Sequence, residues 1–193
     1  MIKYCNRPFP YSGPKTVPTE MNEQFINNWN SVVKAGDRVY HLGDVALCSD
    51  GDWRNIRRRL NGQIYLINGN HEKTANAAKD TFVWIKDYFK LKVDDPDTQH
   101  GRQEIVMFHY ALRVWDKSHH GSWALWGHSH NSLPEDPNAK SFDIGVDAIA
   151  ARLAKEKGSA SLDPADYRPV SYEEVKKWMS KKNWMPVDHH GGE

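Results

Sequence analysis

Four apolar stretches of this chain stop at side chains able to hold a cation. Asp44 follows "VYHLG", Asn70 and His71 follow "IYLING", His109 follows "IVMF", and His128 and His130 follow "ALWG". A carboxylate can lend its two oxygens to two cations, while an amide oxygen and neutral imidazoles complete the shells without adding negative charge. The positive charge left over suits an anionic substrate. This mixed nitrogen and oxygen set favours manganese, iron, zinc or nickel over calcium, which takes all-oxygen cages. Two ions about 3.5–4 Å apart would acidify a bridging water and clamp the attacking and leaving oxygens of a displacement at phosphorus. The matching reaction is phosphoester hydrolysis, with hydroxide on metal as nucleophile. His71, beside a ligand and not needed as one, is placed to protonate the leaving alkoxide.

These residues need elements that bring them together. "DRVYHLGD" is short, β-branched and aromatic, and closed by glycine, so residues 37–42 read as a strand. Trp53, Ile56 and Leu60 form a helical stripe, Gly62 stops it, and "QIYLIN" follows as the next strand. Two parallel strands joined by a helix put their ends on one sheet edge, which makes Asp44 a neighbour of Asn70 and His71. "QEIVMFH" and "SWALWG" repeat the pattern for His109 and His128, and "SFDIGVDA" reads as a further strand. Upstream, Met21, Phe25, Ile26, Trp29, Val32 and Val33 recur at helical spacing from Thr19. A last helix starts at Ser171, with Glu174 closing a capping box and Val170 and Val175 placed as a staple. The stretches "YSGPKTVP", "KEKGSASLDPAD" and the tail from about residue 184 read as weakly structured. The expectation is one α/β domain over residues 1–193 with a mobile C-terminal tail.

Bulk properties agree with a single site. The chain has 193 residues, 39% of them hydrophobic, enough for one core. A net charge of +1 generates no field to gather nucleic acid or anionic membrane, so nucleic acid enters only as a substrate. Cys5 and Cys48 fit no disulfide framework or zinc-finger spacing. With no apolar run near the roughly 20 residues of a spanning helix, the expected location is the cytoplasm, away from membranes.

The motifs "GD" at Gly43/Asp44, "GNH" at Gly69 to His71, the strand-end His109 and "GHSH" at Gly127 to His130 resemble, in order, those of the calcineurin-like metallophosphoesterases. "KYCNRPF", "NWNSVV" and "VYHLGD" look more narrowly like that superfamily's small bacterial and phage-borne phosphoesterases. The resemblance implies a double β-sandwich flanked by helices and a dinuclear centre, manganese being the first choice of metal. It implies that Asp44 bridges the ions, that Asn70, His109 and His128 complete one shell, and that His130 belongs to the other. It makes His71 the proton donor. The family's opening DxH motif has no counterpart before "IKYCNRPF", so its first strand and half of one shell are expected to be missing, which leaves one ion as the alternative to two. Asp188 to Gly192, "DHHGG", has the form of the lost motif and could replace it through Asp188 and His190. The competing expectation is a non-catalytic relative that binds one ion or a phosphorylated ligand as a regulatory module.

Other residues carry weaker signals. His119 and His120 lie in a loop that could reach a phosphate or merely face solvent. His41 reads as a packed or supporting histidine. Arg54, Arg57, Arg58 and Arg59 read as a solvated helix face rather than a polyanion site, and Asp143 and Asp147 as capping or supporting carboxylates.

Overall fold

The computed structural model describes residues 2–11, 13, 19–185 and 187. Strand β1 (Arg38–His41) and strand β2 (Gln63–Ile67) pair in parallel across helix α2 (Asp50–Arg57), which Ser49 caps by accepting from Asp52 N. The short helix α3 (Lys73–Ala77) leads to β3 (Trp84–Lys86), also parallel to β2. One face of this sheet packs on the helices: Ile64 and Leu66 meet Trp53, Ala75, Ala78 and Phe82, with Trp29 of helix α1 (Thr19–Val32) against them.

The second sheet has the order β4 (Tyr88–Asp94), β5 (Arg102–Phe108), β6 (Trp123–Trp126) and β7 (Ser141–Asp143). The β4–β5 pair is antiparallel and the other two pairs are parallel. Helices α4 (Val146–Glu156) and α5 (Tyr172–Ser180) bring Ile149, Leu153, Val175, Trp178 and Met179 into one cluster with Met107, Leu125 and Phe142. The two sheets meet through aromatic rings, with Phe89 4.8 Å from Trp84 and 6.1 Å from Tyr40 between centroids. The result is a mixed α/β architecture of two sheets flanked by helices.

Several expectations need adjusting. Val32 is 42% exposed while Val33 is buried, because Val33 still donates to Trp29 O and lies seven positions from the buried Ile26 on the same helix face, with Val32 rotated off it. "SFDIGVDA" divides after Asp143: its second half opens α4, whose Ala148, Ile149, Leu153 and Ala154 sit at helical spacing. The capping box at Ser171 is present. Asn183 N and Met185 N donate to Pro137 O and Asn138 O, and the Trp184 indole donates to Ser118 O, so this part of the tail is tied to the body. Asp188 and His190 lie outside the described residues. No helix among the described residues is long and apolar enough to cross a membrane.

Among the described residues β1 pairs only with β2. A cavity of about 2270 Å³ has Val39 and His41 of β1 in its lining, together with Leu91, Met107 and Val175. Asp44, His71, His128 and His130 line the same cavity.

Candidate metal centre

Each sheet contributes two loops. Gly43 and Asp44 follow β1, and Asn70 and His71 lie beyond β2; His109 leaves β5, and His128 leaves β6 through Gly127. Close backbone approach makes this possible. A Cβ at Gly43 would lie 2.2 Å from His109 Nδ1, one at Gly69 2.4 Å from Asp44 Oδ1, and one at Gly127 3.0 Å from Leu42 O. Asp44 and His130 adopt φ of 55° and 46°, in the left-handed region that Asp, Asn and His enter more readily than other side chains. The buried Glu72 accepts from Val45 N at 3.3 Å and so ties the loop after β2 to the loop after β1. Burial pushes its carboxyl up. Glu72 escaped the sequence reading, although its place next to "GNH" was a signal.

His109 decides the chemistry of this junction. Its ring is buried, and Nδ1 lies 2.6 Å from Leu42 O. A carbonyl only accepts, so Nδ1 carries a proton, and in the neutral ring the remaining lone pair lies on Nε2. Around that lone pair stand Asn70 Oδ1 at 3.0 Å, His128 Nδ1 at 3.2 Å and Asp44 Oδ2 at 3.5 Å. Asp44 Oδ1 accepts from His71 N at 2.8 Å, which leaves Oδ2 for the junction. Burial, then the neighbouring His109, pushes the His128 imidazole toward its neutral form. A proton can bridge one pair of these atoms; a cation can bridge them all. The donor set therefore fits a divalent transition ion held by Asp44, Asn70, His109 and His128.

His130 sits in an adjoining cluster. Its Nδ1 is 2.7 Å from Asp147 Oδ2, and Arg7 binds the same carboxylate with Nε at 2.7 Å and Nη2 at 2.8 Å. Cys5 completes the group, its thiol pushed up by burial and by the charge of the neighbouring Asp147. Cys5, His130 and Asp147 offer ligand atoms within 4.8 Å of one another. Three donors from Arg7 and His130 already sit on the two oxygens of Asp147, so this trio reads as a hydrogen-bonded network rather than a cation cage. Nothing in the local sequence marks Arg7 or Cys5 as site residues, whereas Asp147 reads there as a capping or supporting carboxylate.

The remaining candidates separate cleanly. Arg54 pairs with Asp80, Arg59 with Glu23, Arg57 donates to the carbonyls of Leu60, Gly62 and Thr81, and Arg58 donates to Asn55. His119 and His120 precede β6, at the opposite end of that strand from His128. Asp143 accepts from Asn131 N and Gly145 N, which is turn chemistry. His41 Nδ1 is buried with no hydrogen-bond partner among the described residues.

A protein of Methanocaldococcus jannaschii, called uncharacterized protein MJ1445, is 31% identical over 188 residues, covering 94% of this chain and 84% of its own length. The chain belongs to the MJ1445 family. No family model matches it. The crystal structure of the protein of unknown function AQ665 from Aquifex aeolicus covers 92% of the chain and 90% of its own, with a TM-score of 0.54 and 18% identity. That structure and this MJ1445-family protein share an overall fold. The likeness speaks to fold alone, and the chemistry rests on the residues.

Two groups near the junction set an acid response. Burial pushes His41 down to about 4, against the pull of Asp44, so the unfolded chain takes up a proton that the folded chain refuses as pH falls from about 6.5. Stability should decline from there to about pH 4. Asp147 adds a second loss: burial alone would raise it, but the Arg7 and His130 hydrogen bonds bring it down to about 2, so its contribution persists above about pH 4 and fades toward pH 2. Urea midpoints should fall between pH 7 and 4.5, and His41→Gln should flatten that part of the profile. A flat wild-type profile over this range would contradict the assignment.

Proposed function

We propose that this protein is a metal-dependent phosphoesterase, acting on phosphodiesters or small phosphomonoesters. The observation that carries the reading is the bare His109 Nε2, ringed by Asn70, His128 and Asp44 at hydrogen-bond to ion-pair distance. In that shell a divalent ion, with manganese as first choice, supplies Lewis acidity toward a phosphoryl oxygen and a lowered pKa for water. Asp44 supplies the one carboxylate, and its αL backbone turns that carboxylate toward the two imidazoles. The His71 amide fixes Asp44 Oδ1, while the exposed His71 ring stands over the same cavity to protonate the departing alkoxide. The finer fold expectation, a metallophosphoesterase-type double β-sandwich, belongs to this reading.

The test is hydrolysis of an aryl phosphodiester with manganese. His71→Ala should lower kcat about 10²–10⁴-fold while metal content stays unchanged. An unaffected rate would remove His71 from its role.

One observation favours a second reading. The flank where His130 would serve another ion already holds the Arg7 guanidinium, bonded to both oxygens of Asp147. A chain that binds one ion and turns nothing over would be a binding module for a phosphorylated ligand. Counting ions per chain alongside turnover separates the two.

A further inference from the structure

The Asp147 carboxylate opens α4, is 5% exposed, and gathers partners from two distant parts of the chain. From the N-terminal segment come Arg7, bidentate through Nε and Nη2, and the Cys5 thiol; from the loop after β6 comes His130 Nδ1. Arg7 is itself buried, its guanidinium 5.3 Å from the Phe25 ring centroid and 6.0 Å from that of Tyr167, and its backbone amide is held by Ile2 O. Such a guanidinium has one geometry open to it, and so has the carboxylate it grips.

We propose that Arg7 and Asp147 are positioning residues that fix His130 in the tautomer protonated at Nδ1, leaving Nε2 as a bare acceptor at the wall of the cavity shared with Asp44, His71 and His128. An ionised carboxylate accepts only, so the 2.7 Å contact requires the proton on His130 Nδ1. The strained backbone of His130, with φ of 46°, needs such an anchor to hold the ring in place. Carboxylates behind imidazoles fix orientation and raise basicity in this way wherever an imidazole works on a cation or a proton. Arg7 sets the charge of the carboxylate and ties the segment from Ile2 to Arg7 into the same flank. The proposal rests on the phosphoesterase reading only for its activity arm.

The decisive experiment is NMR of the full chain carrying ¹⁵N-labelled histidine, without metal, at pH 8, with His130 assigned by its absence from His130→Gln. The expected result is a pyrrole-like Nδ1 and a pyridine-like Nε2; a pyridine-like Nδ1 in the wild-type protein overturns the proposal without any variant. Arg7→Met/Asp147→Leu removes both charges and the acceptor together and so avoids leaving one charge buried and unpaired. In that double variant the His130 signals should move toward the other tautomer, and manganese affinity or kcat should fall about 10–100-fold, with Asp147→Glu partly restoring both. Unmoved signals in the folded double variant overturn the proposal. If the wild-type chain proves to lack turnover, the phosphoesterase reading fails while the tautomer measurement still decides this one.

Discussion

Asp44→Asn should abolish metal-stimulated phosphoester hydrolysis, with kcat/KM down by about 10³-fold, and should strip the bound ion. The magnitude follows from the several kcal/mol that Lewis-acid stabilisation supplies, about 4 kcal/mol corresponding to three decades. Asparagine is the informative choice because φ at this position is 55°, where Asn is tolerated at least as well as Asp, and because its amide oxygen can still accept from His71 N. The backbone and one hydrogen bond survive; the charge does not. Metal content by elemental analysis and rates with an aryl phosphodiester check the outcome together. Retention of both ion and activity would mean that the junction of Asp44, His109 and His128 is not the working centre.

Gly43→Ala should be strongly destabilising. It adds a Cβ 2.2 Å from His109 Nδ1 and 2.9 Å from Gly69 Cα, at φ of +99°. Neither neighbour can yield, since one is backbone and the other is a ring hydrogen-bonded to Leu42 O. Backbone strain and overpacking together should cost about 3 kcal/mol, lowering the melting temperature by about 10 °C in a chain of this length. Hydrolysis should fall with it, because the ring that is displaced carries the central lone pair. Gly101→Ala is the control: φ there is +68° and no atom lies within 4 Å of the added methyl, so only the backbone penalty of about 1 kcal/mol should appear. Equal losses at the two positions would show that the clash at Gly43 is relieved in some other way.

The residues that meet at the centre were legible because each ends an apolar run, and parallel pairing of such runs aligns their ends. Asp44, Asn70, His109 and His128 converge for that reason. Helix α4 was hidden because Ile144 and Val146 extend the β-branched look of "SFDIGVDA" past the end of β7, whereas its apolar periodicity emerges only from Ala148 onward. The Arg7–Asp147 pair was hidden for a different reason. Its partners are 140 positions apart, and no local pattern marks an arginine whose carboxylate comes from the other end of the chain. The cavity beside β1 is a property of volumes, which no spacing rule encodes.

The centre draws Asp44 and Asn70 from one sheet and His109 and His128 from the other, and the His109 to Leu42 hydrogen bond crosses the same seam. An ion seated there would act as a rivet, since its ligands come together only while the two sheets keep their mutual alignment. By mass action each decade of free ion beyond its dissociation constant adds about 1.4 kcal/mol to that alignment. Amide exchange along the facing strands, measured against manganese concentration, would then report how full the centre is.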